Sequence, residues 1–311
     1  MARKTRNKRL SNTHLILFAV AFIIASSVYF FPGAFEKVKD YLSPSDNSDR
    51  ITISDGELSV HYIDVGQGDA ELIIAPNGET MLIDTGTSES KEFLVQYLKN
   101  YGVSSIEYLV LTHPHADHIG GASLVLDEFV IKKVIMPYAV TTTATYEKTL
   151  EKIDEEGCEV IFTKPKNRYE LGLAKFTILG PTRDYSSDLN NQSAVIRLDY
   201  GKTSFLFTGD AEAKSEADML NLFNKSEFKA NVLKLGHHGS STSTSKDWLL
   251  AVSPEYAVIS CGKDNDYLHP HKEILSLLEK QGIIKLRTDE LGSIVFTSSG
   301  EKAVLKTSTP T

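Results

Sequence analysis

The stretch LTHPHADHIGG, from Leu111 to Gly121, places three histidines and one aspartate within six residues at the end of an apolar run. The preceding residues, IEYLVLTH, have the continuous apolar character of a short buried strand. A core could not easily bury such a cluster, because unpaired polar groups are costly away from water. The fold must therefore bring the end of a buried strand to a site that uses these side chains.

The cluster fits the pattern H-x-H-x-D-H, formed by His113, His115, Asp117 and His118. Residues two apart in an extended loop face the same way, so His113 and His115 can bind one ion. Asp117 and His118 are expected to turn back toward a second ion. Imidazole and carboxylate ligands suit zinc, manganese or iron, and such ions lower the pKa of bound water. The pattern predicts a metal centre that generates hydroxide.

The remaining chain predicts short strands separated by helices. ELSVHYIDV, AELIIAP and TMLIDTG precede the cluster, and KKVIMPY, CEVIFT and KFTILGP follow it as strands. SAVIRLDYGKTSFLFTGD predicts a hairpin, and KANVLKLGHHGS, EYAVISCG and SIVFTSSG predict further strands. Helical spacing marks KEFLVQYLKNYG, TYEKTLEKIDEEG, SKDWLLAVS and HKEILSLLEKQG. Two β-rich halves, each with helices, predict an α/β protein with a four-layer αββα sandwich.

An N-terminal apolar helix is expected before this sandwich. The predicted organisation is a basic lead-in at 1–14, a transmembrane signal-anchor at 15–31, a linker at 32–55, the main domain at 56–300 and a C-terminal tail at 301–311. The basic lead-in predicts a cytoplasmic N-terminus, with the main domain outside a single-pass cell membrane anchor. A cleaved signal peptide, and hence a secreted protein, is the alternative, because small residues at 25–27 resemble a cleavage site.

The charge distribution limits the partners that this domain can bind. Residues 1–31 hold five of the 33 basic residues and no acidic ones, so the remaining chain carries 28 basic against 41 acidic residues. A tight, non-specific nucleic-acid binder would instead be strongly basic. Any action on DNA or RNA is therefore expected to involve weak, metal-assisted binding.

Three motifs together resemble the metallo-β-lactamase superfamily: THPHADHIGG after a strand, LIDTG upstream and FLFTGD downstream. HYIDVGQGDA and VLKLGHHGS resemble more narrowly the metallo-β-lactamase-like domain of ComEC/Rec2 competence proteins, which accompany a DNA-uptake channel. The resemblance spans residues 57–300 and implies the metallo-β-lactamase-like αββα fold. One apolar segment cannot form a multi-span channel, so the resemblance is to the hydrolase part alone.

The resemblance also implies a set of metal ligands. They are His113, His115, Asp117, His118, a bridging Asp210 and, within GHHGS, His237 or His238. His238 is the favoured ligand, which leaves His237 nearer the substrate. Asp84 of LIDTG matches an aspartate that supports the ligands from behind.

One departure from the superfamily pattern concerns the first ion. The superfamily usually has another histidine ligand before the G-D pair, but no histidine lies between His118 and His237. Asn191 or Ser193 of LNNQSAV is expected to reach inward instead. Because such oxygen ligands bind zinc less tightly than imidazole does, manganese becomes an alternative and the site is expected to hold one or two divalent ions.

Several residues outside these motifs have two interpretations. Gln67 and Asp69 of GQGD either contact substrate or metal water, or belong to a tight turn between strands. His269 either donates a proton or holds a phosphate oxygen, or it is an exposed histidine at a helix start. The two cysteines, at positions 158 and 261, could form a disulfide, although reduced thiols in strands are more common.

The favoured function is an exported metal-dependent phosphodiesterase or nuclease that uses a metal-bridging hydroxide. Asp117 would orient the hydroxide, and His237 or His269 would protonate the departing oxygen. The expected partners are a phosphodiester substrate such as DNA, the membrane, and competence or cell-envelope proteins. The alternatives are a non-catalytic accessory module for DNA uptake, a hydrolase of cell-wall or phosphocholine-type esters, and a β-lactam or thioester hydrolase.

Overall fold

The computed structural model describes residues 56–185 and 187–306. The predicted lead-in, membrane anchor and linker all lie outside these ranges. Within them, no helix has both the length and the apolar character needed to cross a membrane.

Fifteen strands form two mixed sheets. In chain order they are β1 Leu58–Tyr62, β2 Glu71–Ile74, β3 Thr80–Ile83, β4 Ser105–Val110, β5 Val130–Met136, β6 Glu159–Phe162, β7 Arg168–Leu171, β8 Ala174–Gly180, β9 Val195–Tyr200, β10 Thr203–Phe207, β11 Val232–Lys234, β12 Tyr256–Ile259, β13 Ile284–Arg287, β14 Ile294–Ser298 and β15 Ala303–Leu305. The first sheet has the order β15-β14-β1-β2-β3-β4-β5-β6, and the second has the order β13-β12-β11-β10-β9-β8-β7.

The helices cover the outer faces of the two sheets. They are α1 Lys91–Asn100, α2 Ala116–Ile119, α3 Ala122–Glu128, α4 Ala144–Glu156, α5 Ala213–Leu222, α6 Lys246–Val252, α7 Lys272–Lys280 and α8 Thr288–Leu291. Buried residues of α1, α3 and α4 pack on the first sheet, and those of α5, α6 and α7 pack on the second. A third apolar core lies between the sheets. This arrangement confirms the predicted four-layer αββα sandwich.

Strand β4 illustrates why continuous apolar runs form the central strands. Tyr108 and Val110 pack in the core between the sheets, whereas Ile106 and Leu109 pack beneath the helices. A strand covered on both faces needs apolar side chains toward both layers, and β4, which pairs in parallel with β3 and β5, is apolar throughout its buried end from Tyr108 to Val110.

The structure also contains elements that the sequence patterns did not indicate: α2, α3, α5, α8, β7, β13 and β15. β7 has the sequence RYEL, whose mixed polarity does not distinguish an edge strand from a loop. β15 lies in the stretch predicted as a tail and pairs antiparallel with β14. Both cysteines are free thiols, with Cys158 beside the first sheet and Cys261 beside the second.

His61 on β1 is a structural residue of this fold. Its ring is fully buried, with Nδ1 3.0 Å from the Tyr97 hydroxyl and Nε2 3.0 Å from Ser59 Oγ. Burial lowers the pKa of His61 to about 3, so the ring is neutral at neutral pH.

Replacing His61 should therefore change how stability depends on pH. The unfolded chain binds a proton near pH 6.5 and the folded chain only near pH 3, so this residue lowers the free energy of unfolding as the pH falls through 6.5. His61→Phe should reduce the slope between pH 6 and pH 4 by up to about 1.4 kcal/mol per pH unit, as measured by urea unfolding. Tyr97→Phe keeps the histidine and should keep the wild-type slope. Equal slopes for wild type and His61→Phe would contradict this assignment.

Candidate metal centre

The predicted ligands meet where strands of both sheets end. Asp84 directly follows β3, His113 lies three residues after β4, and Asp210 lies three residues after β10. His238 lies in the loop that follows β11. The carboxyl ends of parallel strands are the usual location of sites in such sheets.

A first group of ligand atoms contains His113, His115 and Asp210. Nε2 of His113 lies 2.9 Å from Nδ1 of His115 and 3.6 Å from Oδ2 of Asp210. His113 is buried, whereas His115 borders a cavity. His113 thus has a histidine and a carboxylate close to the same ring nitrogen, as a ligand that shares one ion with both would.

A second group uses the other oxygen of Asp210. Oδ1 of Asp210 lies 3.3 Å from Nε2 of His118 and 3.7 Å from Nε2 of His238. Oδ2 of Asp117 completes this group, 3.2 Å from Nε2 of His238 and 3.8 Å from Nε2 of His118. Asp210 thus presents one oxygen to each group, which is the geometry that a bridging carboxylate requires.

Hydrogen bonds from behind orient two of these imidazoles. Nδ1 of His118 donates to Asp84 Oδ2 at 2.7 Å, and Nδ1 of His238 donates to the Ser260 carbonyl at 3.0 Å. Asp84 is fixed in turn by the backbone amide and hydroxyl of Thr112, at 2.7 and 2.6 Å. Both histidines consequently direct Nε2 toward the centre, as is usual for metal ligands.

The charges of the centre favour a cation. Burial lowers the pKa of His118, but the carboxylates of Asp210, Asp84 and Asp117 outweigh this effect and raise it well above 6.5. Burial also lowers the pKa of His238, but the carboxylates of Asp210, Asp69 and Asp117 outweigh this effect and raise it to about 10. Nε2 of His118 and Oδ1 of Asp210 are buried and find no hydrogen-bond partner among the described residues. A divalent ion would satisfy both atoms and the negative charge, so the donor set fits the metal that the sequence predicts.

The GQGD turn supports this centre and also contributes to its wall. Asp69 is buried, with Oδ1 3.3 Å from Nδ1 of His238 and Oδ2 2.7 Å from Nζ of Lys234. A Cβ atom on Gly68 would lie 2.4 Å from the Asp117 carbonyl oxygen, so only glycine allows this close approach. Gln67 lines the cavity at the centre. Asp69 therefore has a structural role in the loop, whereas a contact of Gln67 with substrate stays a prediction.

Lys234 is the cation that neutralises Asp69. It is 1% exposed, and its ammonium also donates to the Leu235 carbonyl at 3.0 Å. Burial raises the pKa of Asp69, but Lys234 and His238 outweigh it and lower that pKa to about 2. This ion pair joins β11 of the second sheet to the loop before β2 of the first sheet.

The two candidates in LNNQSAV have different positions. The Ser193 hydroxyl lies 3.3 Å from Nδ1 of His113 and accepts a hydrogen bond from the Asp210 amide. Asn191 points away, because its side-chain oxygen accepts hydrogen bonds from the amides of Glu212 and Ser215 at the start of α5. Ser193 thus contacts two residues of the first group, His113 and Asp210, on the side away from the ligand atoms. Asn191 instead caps the start of helix α5.

His237 lies beside the centre, with Nε2 3.9 Å from Asp210 Oδ2. Its Nδ1 lies 3.1 Å from Glu212 Oε1, which also accepts a hydrogen bond from the Thr242 hydroxyl. His237 and His238 have positive φ angles of 49° and 53°, a costly conformation for non-glycine residues that is frequent at functional sites. The backbone strain thus allows two consecutive histidines to reach one site.

A cavity of about 360 Å³ opens onto these residues. Its lining residues are Gln67, His115, Ala116, Asp117, Asn190, Asp210, His237, His238, Tyr267 and His269. The amide of Gln67 lies 3.5 Å from Nδ1 of His269. Burial and the neighbouring His238 and His237 lower the pKa of His269 to about 4, so at neutral pH its ring is better suited to holding an oxygen than to donating a proton.

The sequence patterns missed Lys234, Glu212, Asn190 and Tyr267. A signal existed for Lys234, because a single lysine within the apolar strand VLKL needs a buried acidic partner. Glu212 follows Asp210 by two residues, but nothing in that spacing indicates that it contacts His237.

Comparisons with known proteins agree with this geometry. A family model described as the metallo-beta-lactamase superfamily matches residues 63–263. ComE operon protein 3 of Bacillus subtilis is 34% identical over 260 residues, which cover 78% of this chain and 33% of that protein. Recombination protein 2 of Haemophilus influenzae is 36% identical over 226 residues, which cover 71% and 26%.

This chain therefore spans a third or less of the length of these curated relatives. Among solved structures, the metallo-beta-lactamase fold protein YhfI from Bacillus subtilis superposes with a TM-score of 0.50 at 11% identity. That superposition covers 74% of this chain and 95% of YhfI, and it supports the fold alone.

The ion pair between Lys234 and Asp69 leads to a stability prediction. Lys234→Met removes the ammonium that is hydrogen-bonded to the buried Asp69 carboxylate and should lower the free energy of unfolding by about 3–5 kcal/mol. Adding Asp69→Asn should recover part of that loss, because no unpaired charge then remains. Urea unfolding with a chelator present measures both effects.

Lys202→Met provides a matched control. Lys202 pairs with Glu301 at the same 2.7 Å, but that pair is exposed and should contribute less than about 1 kcal/mol. Strictly additive losses in the double variant, or equal losses for Lys234→Met and Lys202→Met, would contradict the assigned role.

Proposed function

This chain belongs to the metallo-beta-lactamase superfamily, and we propose that it is a metal-dependent phosphodiesterase of the cell envelope that cleaves nucleic acid. The observation that carries the proposal is the position of Asp210 beside an open cavity: its Oδ2 faces buried His113, and its Oδ1 faces buried His118 and His238. A purely structural cluster would not need an opening toward solvent.

Under this proposal, the two groups of ligand atoms described above would bind the metal ions. His113 and His115 would hold one ion, Asp117, His118 and His238 a second, and Asp210 both. A divalent ion held there supplies Lewis acidity and favours ionisation of water at neutral pH. With one imidazole fewer in the first group than the superfamily usually has, manganese is a candidate alongside zinc.

Four residues of the cavity can position the substrate and move protons. Asp117 is partly exposed and can orient an attacking water. His237, held through Nδ1 by Glu212, has its Nε2 beside Asp210 at the cavity and can donate a proton to the departing oxygen of a phosphate bound there. His269 and Gln67 can hold a phosphate oxygen.

The relatives favour a nucleic-acid diester over a lactam. One relative has a competence-operon name and another is named as a recombination protein. The part of the chain after residue 31 is acidic, so binding should be transient rather than tight.

The proposal also includes an envelope location. Five basic residues precede an apolar run at 14–31 that is long enough to anchor the chain. A single-pass anchor would place the catalytic domain outside, where competence or other envelope proteins could deliver DNA.

Metal removal and replacement test the proposed activity. The full-length protein, stripped of metal and reloaded with manganese or zinc, should hydrolyse bis-p-nitrophenyl phosphate and single-stranded DNA. His115→Ala removes a ligand at the cavity and should abolish turnover of both substrates. His271→Ala changes a nearby histidine outside the ligand groups and should keep most of the activity. Stoichiometric metal binding without turnover would contradict the proposal and favour a non-catalytic module, whereas turnover of a lactam but no diester would change the substrate class.

The role of His237 predicts a dependence on the leaving group. A poor leaving group such as a DNA hydroxyl needs a proton donor, so His237→Gln should lower kcat on DNA by about 10²- to 10⁴-fold. The good leaving group p-nitrophenolate needs none, and kcat on bis-p-nitrophenyl phosphate should change little. Equal losses on both substrates, together with weaker metal binding, would make His237 a ligand instead of a proton donor.

A further inference from the structure

Tyr267 places an aromatic ring at the wall of the catalytic cavity, although 64% of the residue is exposed. Its ring lies against that of His269, with centroids 5.6 Å apart and planes 22° from parallel. His269 packs in turn against His237, with centroids 5.5 Å apart. Tyr267 is thus separated by one ring from the residue nearest the reacting phosphate, and its ring remains accessible to a ligand.

The segment that carries Tyr267 is held by specific hydrogen bonds. The Asn265 side chain donates to the carbonyls of Gly262 and His269 at 2.8 and 2.7 Å, and it accepts from the His269 amide at 3.0 Å. The Leu268 amide donates to the Asn265 carbonyl at 3.1 Å. The exposed ring is therefore held in position beside the cavity, so little conformational entropy needs to be lost when a ligand binds.

The cavity has groups for a phosphate but little else for a nucleotide. Its lining residues include histidines, carboxylates and amides, and neither lysine nor arginine is among them. Attraction between basic side chains of the cavity and the phosphates of the strand therefore cannot supply most of the affinity for a nucleic acid. An exposed aromatic ring offers the other common source of affinity, which is stacking on a base.

We propose that Tyr267 stacks on the nucleobase adjacent to the phosphate in the metal cleft, which makes the substrate a single-stranded nucleic acid. This inference rests on the proposed phosphodiesterase function and deepens it. A base can present its face to Tyr267 only when it is unstacked from its neighbours, so duplex ends or single strands are preferred over duplex interiors. Every base has such a face, so sequence preference should be weak.

A matched pair of substrates tests the stacking contact. The first is a short oligothymidylate, and the second has the same length and phosphates but abasic sugars. With the full-length protein, Tyr267→Ala should raise KM for the oligothymidylate by about 5- to 100-fold and leave KM for the abasic strand unchanged. Because Tyr267 lies away from the reacting atoms, kcat should change little. Fluorescence anisotropy of the labelled strands should give the same ratio in Kd.

Three further variants identify the nature of the contact. Tyr267→Phe keeps the ring and should behave as wild type, whereas Tyr267→Leu keeps an apolar side chain and should resemble Tyr267→Ala. Tyr138→Ala removes a tyrosine that is 65% exposed and absent from the cavity lining, so it should change neither substrate. Circular dichroism confirms that each variant is folded.

The outcomes separate this inference from the proposed function. Equal affinity of the wild type for both strands, or an unchanged ratio in Tyr267→Ala, would overturn stacking even if diesters are cleaved. A wild-type ratio in Tyr267→Leu would also overturn it, because a general apolar contact would then suffice. Loss of catalysis with a retained, Tyr267-dependent difference in Kd would refute the phosphodiesterase function but keep the base contact.

Discussion

The buried ion pair between Lys234 and Asp69 joins the two sheets at the edge where the candidate ligands converge. Ionised carboxylates are costly to bury, and this edge buries Asp69, Asp84 and Asp210 close together. Lys234 neutralises one of them, and hydrogen bonds from Thr112 and His118 stabilise another. Asp210 retains an oxygen without a hydrogen-bond partner among the described residues, so the remaining charge is directed at the centre of the site. The same charge distribution that limits the stability of this edge therefore creates its affinity for a cation.

The sheet topology explains why these groups meet although they are far apart in the sequence. Each sheet has an antiparallel half and a parallel half, and the parallel halves run through β3, β4, β5 and β6 in one sheet and β10, β11, β12 and β13 in the other. Loops after parallel strands lie at the same edge, so Asp84 and His113 of one sheet face Asp210 and His238 of the other. Between these rigid strands, the positive φ angles of His237 and His238 concentrate strain in a single loop. A rigid scaffold of this kind holds the candidate ligands in fixed positions relative to one another.

Sequence patterns predict those features of the protein that depend only on residues close together in the chain. The H-x-H-x-D-H spacing identifies His113, His115, Asp117 and His118 because loop geometry follows from neighbouring residues. The continuous apolar strand before them similarly predicts a buried β4.

Asn191 and Ser193 could not be distinguished from the sequence, because their directions depend on whether α5 or His113 lies beside them in the folded chain. The contacts of Lys234 with Asp69 and of Glu212 with His237 join residues from separate elements, so only the fold reveals them. Helix α5 is a different case, because its alanines, lysine and leucines are ordinary helix formers and its cause is therefore local as well.

The acidic balance of the chain and a catalytic role of its histidine-lined cavity are compatible once affinity and catalysis are considered separately. A strongly basic groove would retain a polyanion along its whole length and slow the release of products. In this cavity, positive charge is needed only where the reacting phosphate lies, and ions held by Asp210 and its histidines would supply it there. Recognition of the remaining substrate then depends on uncharged contacts such as the amide of Gln67 and the ring of Tyr267. Under the proposed function, such a site binds strands weakly and turns them over, so the absence of lysine and arginine from the cavity lining is consistent with catalysis there.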